Sequence, residues 1–405
     1  MTMTKEQKDN LFVLVKSLSK SEKRQFKLYV GRLGVNEDSK FLMLFNILDK
    51  LSVYDEAVIL KKGIVKKQQL SNLKAHLYKQ ILISLRLNPS HQDIRIQIRE
   101  QLDFATILYH KGLYKQSLKI LDKAKNLAIS NEEKNAAYEI VELEKIIESQ
   151  YITRSLNNRA DELSVQAKEL SLQNVLASKL SNLSLQLYGV FLKTGYIKND
   201  DEHQVITKYF NDRLPKYDIN KLGFREKLWL YKSYLWYSFL TVDFLSCYKY
   251  ASKWVDLFYD NKDMIVLNPV FFLRGNHYLL ESLFYLRQYE KFKLSLSKFE
   301  ALTKEKWFPI DDNIDGLTFL YIYNNKFNLH FIEGIFKEGL PLIDEVLVRL
   351  ENYKNRIDEH HIMVFYYKIA SMYFGAGDNK KCIYYLEKII SNKSLQMRED
   401  LLCFS

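Results

Sequence analysis

Two adjacent histidines, His360 and His361, are the side chains in this sequence best suited to holding a metal ion. They follow Asp358 and Glu359, so four potential ligands stand in a row. Adjacent residues on a helix project about 100° apart, so both imidazoles bind one ion only where the helix is broken. The two acidic residues suit the first turn of a helix, where negative charge interacts favourably with the helix dipole. The sequence therefore predicts an ordinary helix start here and no metal site.

Motifs that carry out chemistry are missing elsewhere. The sequence has no GxxxxGK(S/T) phosphate loop, no GxGxxG after a strand, no HExxH and no GxSxG. We therefore expect no cofactor and no enzymatic activity, and we look for function in binding surfaces.

The most basic stretch, residues 61–87, holds seven Lys/Arg and no acidic residue. On one helix face after a turn, it resembles the recognition half of a helix-turn-helix, with Ser71 and Asn72 also turned toward a phosphate backbone. The alternative is an ordinary amphipathic helix whose lysines lie along its outer face. The candidate basic patch consists of Lys61, Lys62, Lys66, Lys67, Lys74 and Lys79.

Charge and composition place this stretch in a distinct part of the chain. Residues 1–100 carry 19 Lys/Arg against 10 Asp/Glu, whereas the other 305 residues are nearly balanced. Only 13 Gly and 5 Pro occur in 405 residues, too few for the turns of a β-rich fold, so we expect an all-α protein. A Pro at residue 89 indicates a boundary between an N-terminal basic helical module, residues 1–90, and a second region, residues 91–405.

Targeting and redox signals are weak. The first residues, MTMTKEQKDN, lack an apolar core of the kind found in secretory signals, and the apolar run SYLWYSFLTV is far shorter than the ~20 residues of a membrane span. Cys247, Cys382 and Cys403 are few and widely spaced, which predicts buried free thiols. We expect a cytoplasmic protein without membrane contact.

A pattern of small, aromatic and large residues recurs through the second region. Its clearest copy places Gly112 in a turn, Tyr114 at the corner, and Ser117, Leu121 and Ala124 along the helix that follows. Equivalent turns come at Gly334 and Gly377, and weaker copies have corners at Phe244 and Tyr289, so that successive corners from Phe244 onward stand 43 to 47 residues apart. Degenerate copies are expected at Asn157–Ala167 and near Gly195–Phe210. A fixed period of this size predicts a helical solenoid.

The pattern resembles the tetratricopeptide repeat (TPR) family, with a period about ten residues longer than the 34 of that family. The best copy is residues 366–390, where Tyr366, Ala370 and Tyr373 match the first helix of the repeat and Gly377 and Cys382 match its turn and second helix. The resemblance implies an all-α fold, a right-handed α-solenoid of TPR-like hairpins. It also implies a non-enzymatic scaffold that binds a polypeptide segment in a concave groove.

The resemblance also implies which side chains line that groove. The family pairs Lys with Asn one turn later to clamp a terminal carboxylate, but here Trp236 follows Lys232, so that clamp is not reproduced. Lys232 and Arg274 favour an acidic or extended segment. The groove candidates are Trp229, Lys232, Trp236, Arg274, His277, Glu281, Asn324, Asn328, Tyr367 and Ser371.

The last residues predict a short apolar helix that contains Leu395, Leu401, Leu402 and Phe404. It either caps the final hairpin, pairs with a second copy of the chain, or continues into a longer protein. Two functions therefore remain for the chain: a scaffold that binds a protein or peptide, and a regulator whose basic N-terminal module contacts nucleic acid.

Overall fold

The computed structural model describes residues 9–32, 39–88, 93–150, 158–353 and 357–392. Within these ranges nineteen α-helices pack neighbour against neighbour and no strand occurs, which confirms the all-α prediction. None of the described helices combines the length and the apolarity that a membrane crossing requires. The predicted boundary at residue 90 and the predicted C-terminal helix lie outside the described residues, as does Cys403.

The chain divides into two compact units, Met1–Phe104 and Ala105–Ser405, which we call unit 1 and unit 2. The division falls within α6, Ile94–His110. The other helices of unit 1 are α1 (Asn10–Ser17), α2 (Lys20–Arg32), α3 (Lys40–Lys50), α4 (Glu56–Lys61) and α5 (Lys67–Arg86).

Unit 1 is held together by one apolar core among α1, α2, α3, α4 and α5. Phe26 and Phe45 meet at 4.8 Å between ring centres, and Leu77 and Ile81 of α5 are fully buried beside them. The start of α2 is a reciprocal capping box, because the Ser19 amide donates to Glu22 Oε2 at 2.6 Å and the Glu22 amide donates to Ser19 Oγ at 3.2 Å.

Unit 2 is a series of helical hairpins. Its helices are α7 (Tyr114–Ser130), α8 (Lys134–Gln150), α9 (Arg159–Thr194), α10 (Asp200–Arg213), α11 (Phe224–Leu240), α12 (Phe244–Asp260), α13 (Asp263–Leu267), α14 (Pro269–Tyr285), α15 (Tyr289–Thr303), α16 (Asp312–Glu333), α17 (Leu340–Tyr353), α18 (Glu359–Ala376) and α19 (Asn379–Ile390).

Five hairpin turns, each before a corner of the sequence repeat, share one geometry, which also occurs at Glu132 between α7 and α8. In the turn between α11 and α12, Val242 is left-handed at φ 59°, its amide donates to the Phe239 carbonyl at 3.2 Å, and the Asp243 amide donates to the Ser238 carbonyl at 2.9 Å. This is the Schellman arrangement that ends helices. The left-handed residues are Gly112, Val242, Arg287, Gly334 and Gly377.

Each of these residues stands two positions before a corner residue of the sequence repeat. The register of the three clear and two weaker copies is therefore confirmed. Two copies look weak in the sequence because Val242 and Arg287 hold a conformation that glycine usually supplies.

Helix α9 departs from the predicted repeat. It runs for 36 residues without a break, although the two degenerate copies require a turn within this range. α9 contains no Pro and one Gly, Gly189, which is helical, so the helix continues until Gly195, which is left-handed at φ 66°. The turn expected between the two copies is therefore absent, whereas the turn at Gly195 is present and α10 follows it. Asn157 lies outside the described residues.

Buried charges connect the first helices of unit 2. Lys125 of α7 lies 2.6 Å from Glu144 Oε2 of α8, and Arg159 of α9 reaches the same oxygen at 3.3 Å. Glu144 is fully buried, and burial raises the pKa of its carboxyl. Lys134 of α8 pairs in the same way with buried Glu226 of α11 at 3.1 Å.

Candidate functional site

The groove candidates lie on the first helices of four hairpins, α11, α14, α16 and α18. Lys232 follows Trp229 by three residues and Trp236 follows by four more, a spacing that places all three on one face of α11. Arg274 and His277 are spaced likewise on α14. The sequence pattern thus selects one face of each helix.

The aromatic end of this surface surrounds Lys232. Trp229 meets Phe271 edge to face at 5.4 Å, and Lys232 Nζ lies 4.7 Å from the centre of the Trp229 ring. No carboxylate among the described residues pairs with this ammonium group. Burial, together with the positive charge of Arg274, lowers the pKa of Lys232 to about 8. Lys232 is therefore a cation held by aromatic rings alone.

Trp236 lies in the hydrophobic core of unit 2. Only 5% of its surface is exposed, and its ring packs at 4.7 Å from Tyr188 and 5.4 Å from Tyr278. Its Nε1 is buried without a hydrogen-bond partner. A ligand on this face would reach little of the indole.

Arg274 is exposed but fixed in place by a neighbouring helix. Its Nε donates to the Tyr321 hydroxyl of α16 at 3.0 Å. The Tyr321 ring in turn stacks on His277 at 4.7 Å, with the two planes 20° apart. The guanidinium is thus oriented while its remaining donors are left for a ligand.

His277 is a buried, neutral imidazole. Asn325 Nδ2 donates to His277 Nδ1 at 3.1 Å, which puts the ring proton on Nε2, 3.7 Å from Glu281 Oε1. Burial lowers the pKa of His277, and the nearby carboxylate of Glu281 only partly opposes this. The imidazole therefore links α14 to α16 through a buried hydrogen bond.

Lys368 of α18 is the third cation of this surface and was not among the groove candidates. Its Nζ donates to Asn328 Oδ1 and approaches the Asn324 carbonyl at 3.5 Å. Burial lowers the pKa of Lys368 to about 8, although the charge of Glu281 acts in the opposite direction. Lys232, Arg274 and Lys368 together are called the cationic row below.

The asparagines of α16 lie beneath this row. Asn324 and Asn328 are buried, Asn324 Oδ1 has no hydrogen-bond partner, and Asn328 Nδ2 donates to Asn325 Oδ1 at 3.5 Å. At the far end the Ser371 hydroxyl donates to the Tyr367 carbonyl of its own helix at 2.9 Å, and both residues are half-buried. Lys368, Tyr321 and Asn325 thus connect the candidates, because they hydrogen-bond to Asn328, Arg274 and His277 respectively.

One signal in the sequence marks the missed lysine. In α18, Lys368 is the only charged residue between His361 and Ala376, and a lone cation in an apolar helix must find buried polar partners. Transfer from the TPR pattern skipped it, because that pattern selects its neighbour Tyr367.

The basic patch of unit 1 is divided by the structure. Lys61, Lys62, Lys66 and Lys67 are exposed around the α4–α5 turn, and Lys79 is exposed further along α5, as are Ser71 and Asn72. Lys74 is half-buried, donates to Asp9 Oδ2 and contacts the Tyr54 hydroxyl at 3.0 Å. The charge of Lys74 is therefore paired with Asp9 inside unit 1.

The histidine pair begins a helix, as predicted. Asp358 is the N-cap of α18, where its carboxylate accepts from the His361 amide at 3.0 Å and lies 2.6 Å from His361 Nδ1. The hydrogen bond from His361 lowers the pKa of Asp358 to about 2. Across the described residues, no three His, Cys, Asp or Glu side chains are grouped so as to hold a metal ion.

Helical hairpins with a shared turn recur along unit 2, and small residues of the sequence repeat lie in its core. Cys247 and Ala251 of α12 and Ala124 of α7 are fully buried at the small positions of the repeat. No model of a known protein family, no curated protein and no solved structure matches the chain.

Proposed function

We propose that the protein is a non-enzymatic interaction scaffold whose cationic row binds an acidic, extended polypeptide segment. The observation that carries the proposal is the imbalance of charge on this surface. Three cations from three helices lie on this surface, and none of the three has an acidic hydrogen-bond partner among the described residues.

The state of the two lysines supports an anionic ligand. Lys232 and Lys368 are held in surroundings that disfavour their charge, as their lowered pKa values of about 8 record. An incoming carboxylate would replace the lost water and stabilise the charged form. Such a site favours glutamate or aspartate side chains over neutral ones.

The spacing of the row supports an extended ligand over a compact one. Lys232, Arg274 and Lys368 belong to α11, α14 and α18, so a ligand that meets all three must cross successive first helices. Tyr321 and Asn328 of α16 lie between Arg274 and Lys368, where each hydrogen-bonds to one of these two cations and fixes its position.

The test uses a fluorescein-labelled ten-residue peptide rich in glutamate, with the same peptide in glutamine as the neutral control. We expect the acidic peptide alone to bind, and Lys232→Gln or Arg274→Gln to weaken it by about tenfold each, since each removes one charge-assisted contact. Lys298→Gln, an exposed lysine of α15, is the matched control. Equal binding of both peptides, or no effect of the two substitutions, contradicts the proposal.

A second candidate function is nucleic-acid binding by unit 1. The observation in its favour is that Lys61, Lys62, Lys66 and Lys67 are exposed together around one turn. Duplex DNA binding that falls steeply with salt and is lost in a variant with these four lysines changed to glutamine would support it. Absence of DNA binding at low salt would rule it out.

A further inference from the structure

Helices α8, α9 and α11 of unit 2 border a cavity of about 640 Å³. This volume is in the range of pockets that hold small organic ligands. Trp229 forms one wall, and none of the described residues that line the cavity is acidic. Its polar lining includes Asn135, Tyr138, Asn174, Ser178, Lys179 and Arg225.

The face of α9 in this cavity is built from short polar residues. Ser171, Asn174, Ser178 and Ser181 follow one another at spacings of three and four, so they share one side of the helix. Ser181 donates to the Ser178 carbonyl at 2.9 Å. Short side chains here leave the cavity open beside α11.

Arg225 is the charged group that this cavity positions. Its NH2 group donates to Asn174 Oδ1 at 2.5 Å, and Asn174 Nδ2 donates to the Lys134 carbonyl at 3.3 Å. The amide is thereby fixed at both ends, so the guanidinium plane is oriented before any ligand arrives.

No carboxylate among the described residues pairs with Arg225. Its neighbour Glu226 and the nearby Glu132 both pair with Lys134, at 3.1 and 3.0 Å. Among the described residues Asn174 is the one hydrogen-bond partner of the guanidinium, and its Nε is buried without an acceptor. Lys179, exposed at the edge, adds a second positive charge.

We propose that this cavity binds a small anionic ligand that carries a carboxylate or phosphate group, with Arg225 as its principal contact. A planar, preoriented guanidinium suits both oxyanions, because each accepts two parallel N–H hydrogen bonds. Tyr138 and Trp229 offer aromatic surface to the rest of the ligand. The cavity shares Trp229 with the surroundings of Lys232, but its charged contact, Arg225, is not part of the cationic row. It adds small-molecule binding to the proposed scaffold.

Isothermal titration calorimetry with inorganic phosphate, citrate and adenosine monophosphate tests the site. We expect at least one probe to bind, and Arg225→Gln to weaken it by about tenfold or more. Lys193→Gln, an exposed residue of the same helix α9 that does not line the cavity, should leave binding unchanged. Citrate binding more tightly than phosphate indicates a carboxylate ligand, and adenosine monophosphate binding more tightly indicates a phosphate attached to a ring.

A second variant separates loss of the site from loss of the fold. Ser178→Trp places a large ring in the cavity while Arg225 itself is unchanged, and it should abolish binding while the helical circular dichroism signal is kept. Binding by neither wild type nor any variant, or binding that survives both substitutions, overturns the proposal. Glutamate-peptide binding that persists in Arg225→Gln shows that the cationic row is a separate site.

Discussion

Lys368 of α18 donates its hydrogen bond to the neutral side chain of Asn328 on α16, and no carboxylate pairs with it among the described residues. Burial disfavours the charged form of Lys368 and of Lys232, and it lowers the pKa of each to about 8. Both lysines make the stability of the protein depend on pH.

We expect Lys232 and Lys368 to make the free energy of unfolding rise between pH 8 and pH 10, while the buried thiol of Cys247, whose pKa is raised by burial, contributes in the opposite direction. Each folded lysine has a pKa of about 8, below the ordinary 10.5, so in this window the unfolded chain binds more protons and stability increases with pH. Urea denaturation at several pH values measures the slope. A variant with Lys232→Met and Lys368→Met should have a flatter slope, and an unchanged slope would contradict the assignment.

Above pH 10 the tyrosines reverse this trend. Burial raises the pKa values of Tyr323 and Tyr385 to about 12, so the folded state keeps protons that the unfolded chain releases. Stability then falls with pH. The measurement is therefore confined to the window below pH 10.

Glu144→Gln should destabilise unit 2 by about 3–5 kcal/mol, because Lys125 and Arg159 would lose the carboxylate that both approach in the interior. Urea denaturation measures the loss. Glu142→Gln is the matched control, since its partner Lys145 is at the surface and the change should have little effect. Similar stabilities of the two variants would show that Glu144 is dispensable.

Two glycines within helices should respond to alanine in opposite directions. A Cβ at Gly275 of α14 would lie 3.0 Å from the buried indole of Trp254, so Gly275→Ala should lower stability by about 1–3 kcal/mol. A Cβ at Gly189 of α9 would meet nothing within 4 Å, so Gly189→Ala should raise stability by about 0.5–1 kcal/mol. Thermal melts measure both changes in stability. Changes in the same direction would contradict the close contact of α12 and α14 at Gly275.

Val242→Gly should raise stability by about 0.5–1 kcal/mol, because relief of the left-handed strain exceeds the added freedom of the unfolded chain. Little packing is lost, since Val242 is 43% exposed. Gly334→Val makes the reverse change in an equivalent turn and should lower stability by about 1–2 kcal/mol. A stabilising effect of Gly334→Val would show that the two turns are not equivalent.

The sequence predicted the hairpin turns well because their geometry depends on local residues. Tyr114 and Phe244 gave the register even where Val242 replaced glycine, since the corner and the small helix positions recur together. The length of α9 was missed for the opposite reason. A turn was inferred there from the period alone, whereas no local residue breaks the helix.

The candidate site was predicted only in part. The face that carries Arg274 and His277 follows from helical spacing, but which side chains reach across to it depends on the distance between helices. Tyr321, Asn325 and Lys368 bond to groups on other helices, and no spacing within one helix encodes those contacts. Arg225 was missed likewise, because its partner Asn174 is 51 residues away.

The uninterrupted α9 has a consequence for how unit 2 comes apart. At 36 residues it extends about 54 Å, and it packs against both α8 and α11. Arrays of separate hairpins open one repeat at a time, since each repeat contacts only its neighbours. Here α8 and α11 both pack against the continuous helix α9. Release of either one therefore exposes part of the helix that stabilises the other. Amide protons of α8, α9 and α11 should consequently exchange with solvent as one cooperative block, separately from those of α18 and α19.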